Sequence, residues 1–365
     1  MRVIVVGAGL VGTAVARALA IKGADVVVIE RGVPGAEASW AAGGILSPQA
    51  ECDHDGPMLR LCLQGLAASE RLIAALSARG HNLGVVRGGT LDIAVDDVEA
   101  VALAARVRWQ TAAGLTAKLL DNADVKTIAP VLGDVVAAAH FPTESALEPR
   151  LLFAALRADA VRAGGTVLSN RRVVRVEARA VHVVSDGVEA VIEGDAVVVC
   201  AGAWTPQVVG ADVPDAAVVP VRGQMVEVQG APGAFDVVVY GRGGYVVPRV
   251  DGRVVAGSTM ERAGYDKAVT VGGLQRICTM VSALIPALST EPVLSTWAGL
   301  RPGTSDGLPL LGQQPSGVWV ASGHFRNGVL LAAVSGELIA EAVVDGVAVD
   351  AAFSPGRFRA SAPSS

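Results

Sequence analysis

The chain has 365 residues, 52% of them hydrophobic and 43 of them glycine, enough for two buried cores and too apolar to remain unfolded. Thirty Lys and Arg stand against 35 Asp and Glu, a net charge of −5 with no basic block, which argues against a nucleic-acid surface. Mean hydropathy is +0.48, yet the one long apolar run, residues 3–21, is interrupted by Thr13 and Arg17 and carries three glycines at fixed spacing, so no membrane span is expected.

The first predicted strand, Val3-Ile4-Val5-Val6, runs into Gly7-Ala8-Gly9-Leu10-Val11-Gly12, after which Ala14, Val15, Ala18 and Leu19 recur at helical spacing. A G-x-G-x-x-G at a strand-to-helix turn is the fingerprint of a dinucleotide site. Gly7 makes the tight turn, Gly9 admits a pyrophosphate to the backbone, and Gly12 lets helix and strand pack closely. The helix N-terminus, with Leu10 and Val11, presents unpaired N–H groups to the phosphates. A second strand, Val26-Val27-Val28-Ile29, ends in Glu30, about 20 residues on, where an acid meets a ribose hydroxyl. The spacing leaves NAD and FAD both open.

Residues 38–51, Ala38-Ser39-Trp40-Ala41-Ala42-Gly43-Gly44-Ile45-Leu46-Ser47-Pro48-Gln49-Ala50-Glu51, follow Pro34 and Gly35. Their small side chains suit a loop opening a short helix, with backbone passing close to something flat or large. Leu59, Leu63, Leu66, Leu72, Ile73 and Leu76 set a long helix over about 58–80, capped by Gly80. Residues 89–95 alternate as a strand and 98–114 read as a helix, the start of a second, mixed domain. Residues 142–148 read as the return, and Pro149 opens a helix reaching Gly164, with Glu148 at its N-terminus.

Strands follow at 166–168, 172–177, 180–185 and 190–193. The run Ala196-Val197-Val198-Val199-Cys200-Ala201-Gly202-Ala203-Trp204 is too continuously apolar to be half exposed, so it predicts a buried parallel strand ending in a small-residue turn. Residues 219–229, 236–240, 244–249 and 253–258 read as antiparallel strands, and 271–284 as a helix. Residues 350–365 read as a disordered tail. Cys52, Cys62, Cys200 and Cys278 form no C-x-x-C; Cys52-x-His54 with Cys62 is the nearest approach to a metal set, and free thiols in a reducing, cytoplasmic compartment, with no metal, are expected instead.

Beyond the fingerprint, six stretches carry a family resemblance: residues 38–51, residues 196–204, Arg222-Gly223-Gln224, Tyr245-Val246-Val247-Pro248-Arg249 followed by Gly257-Ser258-Thr259-Met260, residues 297–312 around Arg301, and Gly323-His324-Phe325-Arg326-Asn327-Gly328-Val329-Leu330-Leu331. Over nearly the whole chain these resemble the D-amino-acid oxidase superfamily of flavoproteins, and they are most similar to its glycine oxidases of the thiamine pathway. The resemblance implies an α/β fold (α+β overall): a Rossmann-like FAD-binding domain over 1–82, 146–216 and 298–349, with an inserted mixed antiparallel-sheet substrate domain over 83–145 and 217–297. It implies FAD, non-covalent because no cysteine lies near Arg301 or Gly303.

The cofactor residues so implied are Gly7, Gly9, Leu10, Val11, Gly12, Glu30 and Arg31 toward the adenine half; Ser39, Ala41, Ala42, Gly43, Gly44 and Leu46 beside the ring; Val174, Ala201, Gly202 and Trp204; and His324, Arg326, Asn327, Gly328, Val329 and Leu330 where a loop enters a helix. Arg301 is the implied anchor of a substrate carboxylate, its planar fork suited to charge-assisted bonds of roughly 1.5–3 kcal/mol each. Tyr245 is expected to donate a second bond to that carboxylate, Arg326 to lie at the site mouth and Met260 to wall the pocket. His324 is assigned a structural hydrogen bond beside the flavin. No general base is expected, the substrate amine arriving deprotonated.

The implied activity is oxidative deamination of glycine or another small amine or D-amino acid, with hydride transfer to flavin, imine hydrolysis and release of hydrogen peroxide. Its partners are the small substrate and oxygen or another acceptor, with no nucleic acid; homo-oligomerisation stays open. The alternatives are a D-amino or 2-hydroxy acid dehydrogenase that avoids oxygen, a flavin-bound protein without turnover, and an NAD dehydrogenase. The sequence departs from the family at Trp40 and Gly43, so that Trp40 either narrows the pocket or points away, and at Ala332-Ala333-Val334, where relatives often have proline.

Overall fold

A computed structural model describes residues 1–358. Two large sheets draw on separate stretches of chain. The first has six strands in the order Leu310–Gln313, Trp319–Ser322, Ala196–Val199, Arg2–Val6, Asp25–Ile29 and Thr166–Leu168. All neighbours are parallel except the first pair. Ala196–Val199 lies inside this sheet with every residue buried. Val198 packs against the helices on one face and Val197 and Val199 pack against a three-stranded antiparallel sheet on the other. Burial on both faces is why the run is apolar without alternation. The covering helices are Leu10–Ile21, Pro57–Ser77, Pro149–Arg162 and Ala332–Asp345, whose apolar stripes form one core with the strands.

The second sheet has eight strands in the order Val293–Gly303, Val219–Val228, Val254–Gly257, Gly244–Pro248, Val238–Gly241, Thr90–Ala94, Ala137–Phe141 and Lys118–Leu120. Its pairings are antiparallel apart from Val238–Gly241 with Thr90–Ala94. The helix Val271–Leu284, capped by Thr270 through the Gly273 N–H, packs its buried Ile277, Met280, Val281 and Leu284 onto one face.

We propose these two sheets as the cores of two domains. On that proposal the boundary read from sequence at 297/298 would move, because the strand Val293–Gly303 stays in the second sheet throughout and pairs Gly303 with Val219 and Leu300 with Arg222. The tail also differs from expectation over its described part. Residues Ala351–Phe353 and Pro355–Phe358 form two 3₁₀ turns, Phe353 is buried in the first core, and Arg357 binds Asp306 at 2.7 Å. That aromatic anchor and ion pair hold what composition alone reads as disordered. Residues 359–365 of the expected tail lie outside the described residues. No helix among the described residues is long and apolar enough to cross a membrane.

Candidate active site

A cleft of about 2070 Å³, counting its solvent-open mouth, runs from the fingerprint turn to the strand Val293–Gly303 and takes lining residues from both sheets. At the fingerprint end Gly7 has φ +102°, and a Cβ there would meet the Cys200 carbonyl oxygen at 2.5 Å; one on Gly12 would sit 2.0 Å from the Gly7 carbonyl oxygen. Turn and helix therefore close on each other only with glycine at both positions. On Gly9 the nearest protein atom to an added Cβ is Ser39 Oγ at 3.1 Å, so its outer side faces the cleft. Ser39 Oγ accepts the Leu10 N–H at 2.8 Å, satisfying one of the helix's orphan donors. The N–H groups of Val11 and Gly12, also in the first turn, have no intrahelical acceptor and line the cleft.

Glu30 also lines this end. One carboxylate oxygen accepts the Ala8 N–H at 2.9 Å and the other the Gly32 N–H at 3.0 Å, which fixes its orientation. Arg31 stacks its guanidinium 3.8 Å above the Trp204 ring, which in turn packs against Tyr265 at 5.6 Å. Glu37 accepts from Arg31 at 3.1 Å and from Lys267 at 3.0 Å, and the Tyr265 hydroxyl donates to the Ala203 carbonyl oxygen at 3.0 Å. Backbone donors at a helix N-terminus and an immobilised acid fit the phosphates and a ribose of a dinucleotide.

At the other end Arg301 leans across Gly223 of the neighbouring strand; a Cβ on Gly223 would lie 2.0–2.4 Å from the guanidinium atoms. Arg301 Nη2 donates to Ser258 Oγ at 2.5 Å and Nη1 to the Thr259 carbonyl oxygen at 3.2 Å. No carboxylate lies within 4.0 Å of it among the described residues, although it is half-buried and lines the cleft. Such a guanidinium keeps donors in reserve and has the fork geometry that suits a carboxylate. Tyr245 is buried and lines the cleft with its ring about 3.2 Å from where a Cβ on Gly43 would be, and its hydroxyl has only the Met225 sulfur at 3.7 Å.

Arg326 differs from Arg301. It donates to Glu51 at 2.8 Å, and the same Glu51 oxygen accepts from the Tyr240 hydroxyl at 2.5 Å. Its charge is already paired, so it orders the mouth rather than offering a second free cation. Glu51 itself lines the cleft and was not singled out from sequence, where only its place in the 38–51 stretch marked it.

Of the other expected residues, Arg31, Ala41, Ala42, Gly43, Gly44, Val174, Ala201, Gly202, Trp204, Asn327, Gly328 and Val329 all line the cleft. Leu46 and Leu330 do not: both are fully buried in the first core, because alternation turns Ile45 to the cleft and Leu46 inward, and the Leu330 carbonyl oxygen is tied to the Ser69 hydroxyl at 3.1 Å. Met260 is not among the residues lining the cleft: it is 63% exposed and borders an adjoining depression with Gly243, Glu261 and Arg276 that shares Ser258 with the cleft. Trp40 also stays outside the cleft, with the Arg150 guanidinium 3.9 Å above its ring and Trp297 edge-on at 5.7 Å.

His324 is buried, and desolvation lowers its pKa to about 4, so it is neutral at pH 7 and shares a 2.9 Å hydrogen bond with Ser335 of the last helix. Among the described residues no group of His, Cys, Asp and Glu could hold a metal ion; Cys52, Cys62 and Cys200 are buried free thiols and Cys278 is exposed.

Residues 2–342 match the family described as DAO, FAD dependent oxidoreductase. The chain belongs to this family: it is an FAD-dependent oxidoreductase, which resolves the choice between nicotinamide and flavin left by the fingerprint. Among curated relatives it is 31% identical to a glycine oxidase of Geobacillus kaustophilus over 93% of this chain and 92% of that one. It is 34% identical to a glycine oxidase of Pseudomonas putida over 93% of both chains. Among solved structures the glycine oxidase of Geobacillus kaustophilus superposes with a TM-score of 0.91 at 30% identity, covering 98% of this chain and 99% of that one.

Proposed function

We propose that the chain oxidises glycine or another small amine or D-amino acid to the imine, which water hydrolyses to a 2-oxo acid. Oxidation of amines or amino acids is the coarser reading its glycine oxidase relatives support. The observation that carries the finer one is Arg301, a cleft-lining guanidinium bonded only to a serine hydroxyl and a carbonyl oxygen. It would take the substrate carboxylate, with the Tyr245 hydroxyl free to donate alongside it.

Bound FAD would supply the acceptor for a hydride from the α carbon, the electrons going on to oxygen as hydrogen peroxide. It would be held by the fingerprint turn and Glu30 at one end and by the backbone of Ala41–Gly44 and His324–Val329 at the other. Small residues along 41–44 let that backbone approach a flat ring. Such an activity accords with the thiamine-pathway role of glycine oxidases. The test is an anaerobic flavin-bleaching screen over glycine, sarcosine, small D-amino acids and 2-hydroxy acids, followed by oxygen uptake against an artificial acceptor. Bleaching by an amine with peroxide formation supports the proposal. Bleaching by hydroxy acids alone overturns it, and activity only with the artificial acceptor replaces oxidase by dehydrogenase.

A further inference from the structure

Between the strand Val254–Gly257 and the helix Val271–Leu284 the chain makes an excursion that adds nothing to the second sheet or its core: Arg262 and residues 264–268 are exposed. Both ends of the excursion are pinned to the strand Val219–Val228. At the first, Glu261 and Arg222 exchange backbone hydrogen bonds at 2.9 and 3.0 Å, and Arg222 Nε donates to the Glu261 carboxylate at 3.0 Å. At the second, the Thr270 N–H donates to Gln224 Oε1 at 2.8 Å and the Gln224 amide donates to Thr270 Oγ1 at 3.1 Å. Midway, Asp266 accepts from Arg222 at 2.6 Å. The loop is therefore tied to one strand at three points, while its two other long side chains, Tyr265 and Lys267, reach the rim of the cleft's fingerprint end.

The Tyr265 hydroxyl donates to the Ala203 carbonyl oxygen at 3.0 Å, and its ring packs 5.6 Å from that of Trp204; both partners lie on the turn Gly202–Gln207. Lys267 donates at 3.0 Å to one oxygen of Glu37, whose other oxygen accepts from Arg31 at 3.1 Å, and the Arg31 guanidinium lies 3.8 Å over Trp204. The contacts thus run in a closed circuit from Tyr265 through Trp204, Arg31 and Glu37 to Lys267. Arg31, Glu37, Ala203 and Trp204 line the cleft, whereas Tyr265 and Lys267 stand outside it. A wall built of a long arginine and an aromatic on a single 3₁₀ turn has many conformations to lose. Fixing it from behind removes that cost before a ligand arrives and slows the ligand's departure.

We propose that Tyr265 and Lys267 are positioning residues for the cofactor: from the second sheet they hold Trp204 and the Arg31–Glu37 pair at the wall of the fingerprint end, and so slow the release of FAD. They touch no part of the cleft themselves and act through the residues that do. The inference rests on FAD, which membership of the family establishes, and not on the amine that the enzyme oxidises.

The test follows the flavin retained on the flavin-loaded full chain at timed intervals after dilution and rapid removal of free FAD. Lys267→Ala breaks a partly exposed ion pair and should speed release about threefold. Tyr265→Ala loses a ring contact and a hydrogen bond and should speed it about tenfold, with Tyr265→Phe, which keeps the ring, at about threefold. Lys267→Arg, which keeps the charge beside Glu37, should release FAD as the unsubstituted protein does. Lys267→Ala added to Glu37→Gln should give no further acceleration, because both break the same pair. Arg262→Ala, in the same loop but outside the circuit, should change nothing. Unchanged release from both Lys267→Ala and Tyr265→Ala overturns the proposal. An equal acceleration by Arg262→Ala also overturns it, since the loop would then be a general prop of the fold, and a fully additive effect in the Glu37→Gln, Lys267→Ala pair removes Lys267 from the circuit. Failure of every amine to bleach the flavin would overturn the substrate reading and leave these release rates as predicted.

Discussion

At the fingerprint end of the cleft the helix N-terminus offers backbone N–H donors, and the charged side chains beside it are already engaged, Glu30 by Ala8 and Gly32 and Arg31 by Glu37 and Trp204. At the far end the ligand-facing groups are side chains with bonding capacity in reserve: Arg301 lacks a carboxylate, and the Tyr245 hydroxyl has only a thioether. The first end is complete as folded and accepts a ligand that fits its shape. The second is electrostatically incomplete and gains most from the charge its substrate brings. On the proposed reading, a dinucleotide would be selected by backbone geometry and an amino acid by unspent charge.

The contrast breaks most visibly at Arg301. Arg301→Ala should weaken the amino-acid substrate by about 2–5 kcal/mol while flavin content stays unchanged, measured by anaerobic titration beside the flavin spectrum. Wild-type affinity in that variant would move the anchor elsewhere. At the opposite end, Glu30→Ala should weaken FAD by about 1–3 kcal/mol, since it strips a ribose acceptor and orphans two N–H groups. Reconstitution of apoprotein reads this loss, and substrate affinity of the reloaded enzyme should not follow it. A smaller change tests the register between the two strands. Gly223→Ala puts a methyl within 2.4 Å of the Arg301 guanidinium, so substrate affinity should fall by about 1–3 kcal/mol without loss of flavin. Smallest of all, Met260→Ala should alter substrate affinity by less than about 0.5 kcal/mol, because the side chain is exposed outside the cleft.

The fingerprint end was legible in the sequence because its parts are neighbours in the chain: strand, turn and helix follow within residues 2–21, and Glu30 ends the next strand. The buried strand Ala196–Val199 was legible for a different reason, its composition reporting burial on both faces. At the far end resemblance pointed to Arg301 and Tyr245, which both line the cleft, but pairing across the fold decided the rest. Nothing local says that Arg326 meets Glu51 from the opposite end of the chain, or that Met260 turns out while Ser258 turns in. The buried Glu144, whose carboxylate accepts the Gln49 and Ala50 N–H groups, stayed hidden because those partners come from a distant segment. Spacing rules read faces of helices and strands, whereas these contacts arise only once separate segments converge.

The order of strands in the first sheet also sets a timetable. Arg2–Val6 emerges during synthesis well before its partner Ala196–Val199, and Trp319–Ser322 with the cleft-lining residues up to Val329 follows later still. A chain released from the N-terminus forward therefore carries a fingerprint with no pocket around it for most of its birth. Flavin can be captured in its full seat only once the residues up to Val329 are available, which places cofactor loading after the synthesis of every segment that lines the cleft.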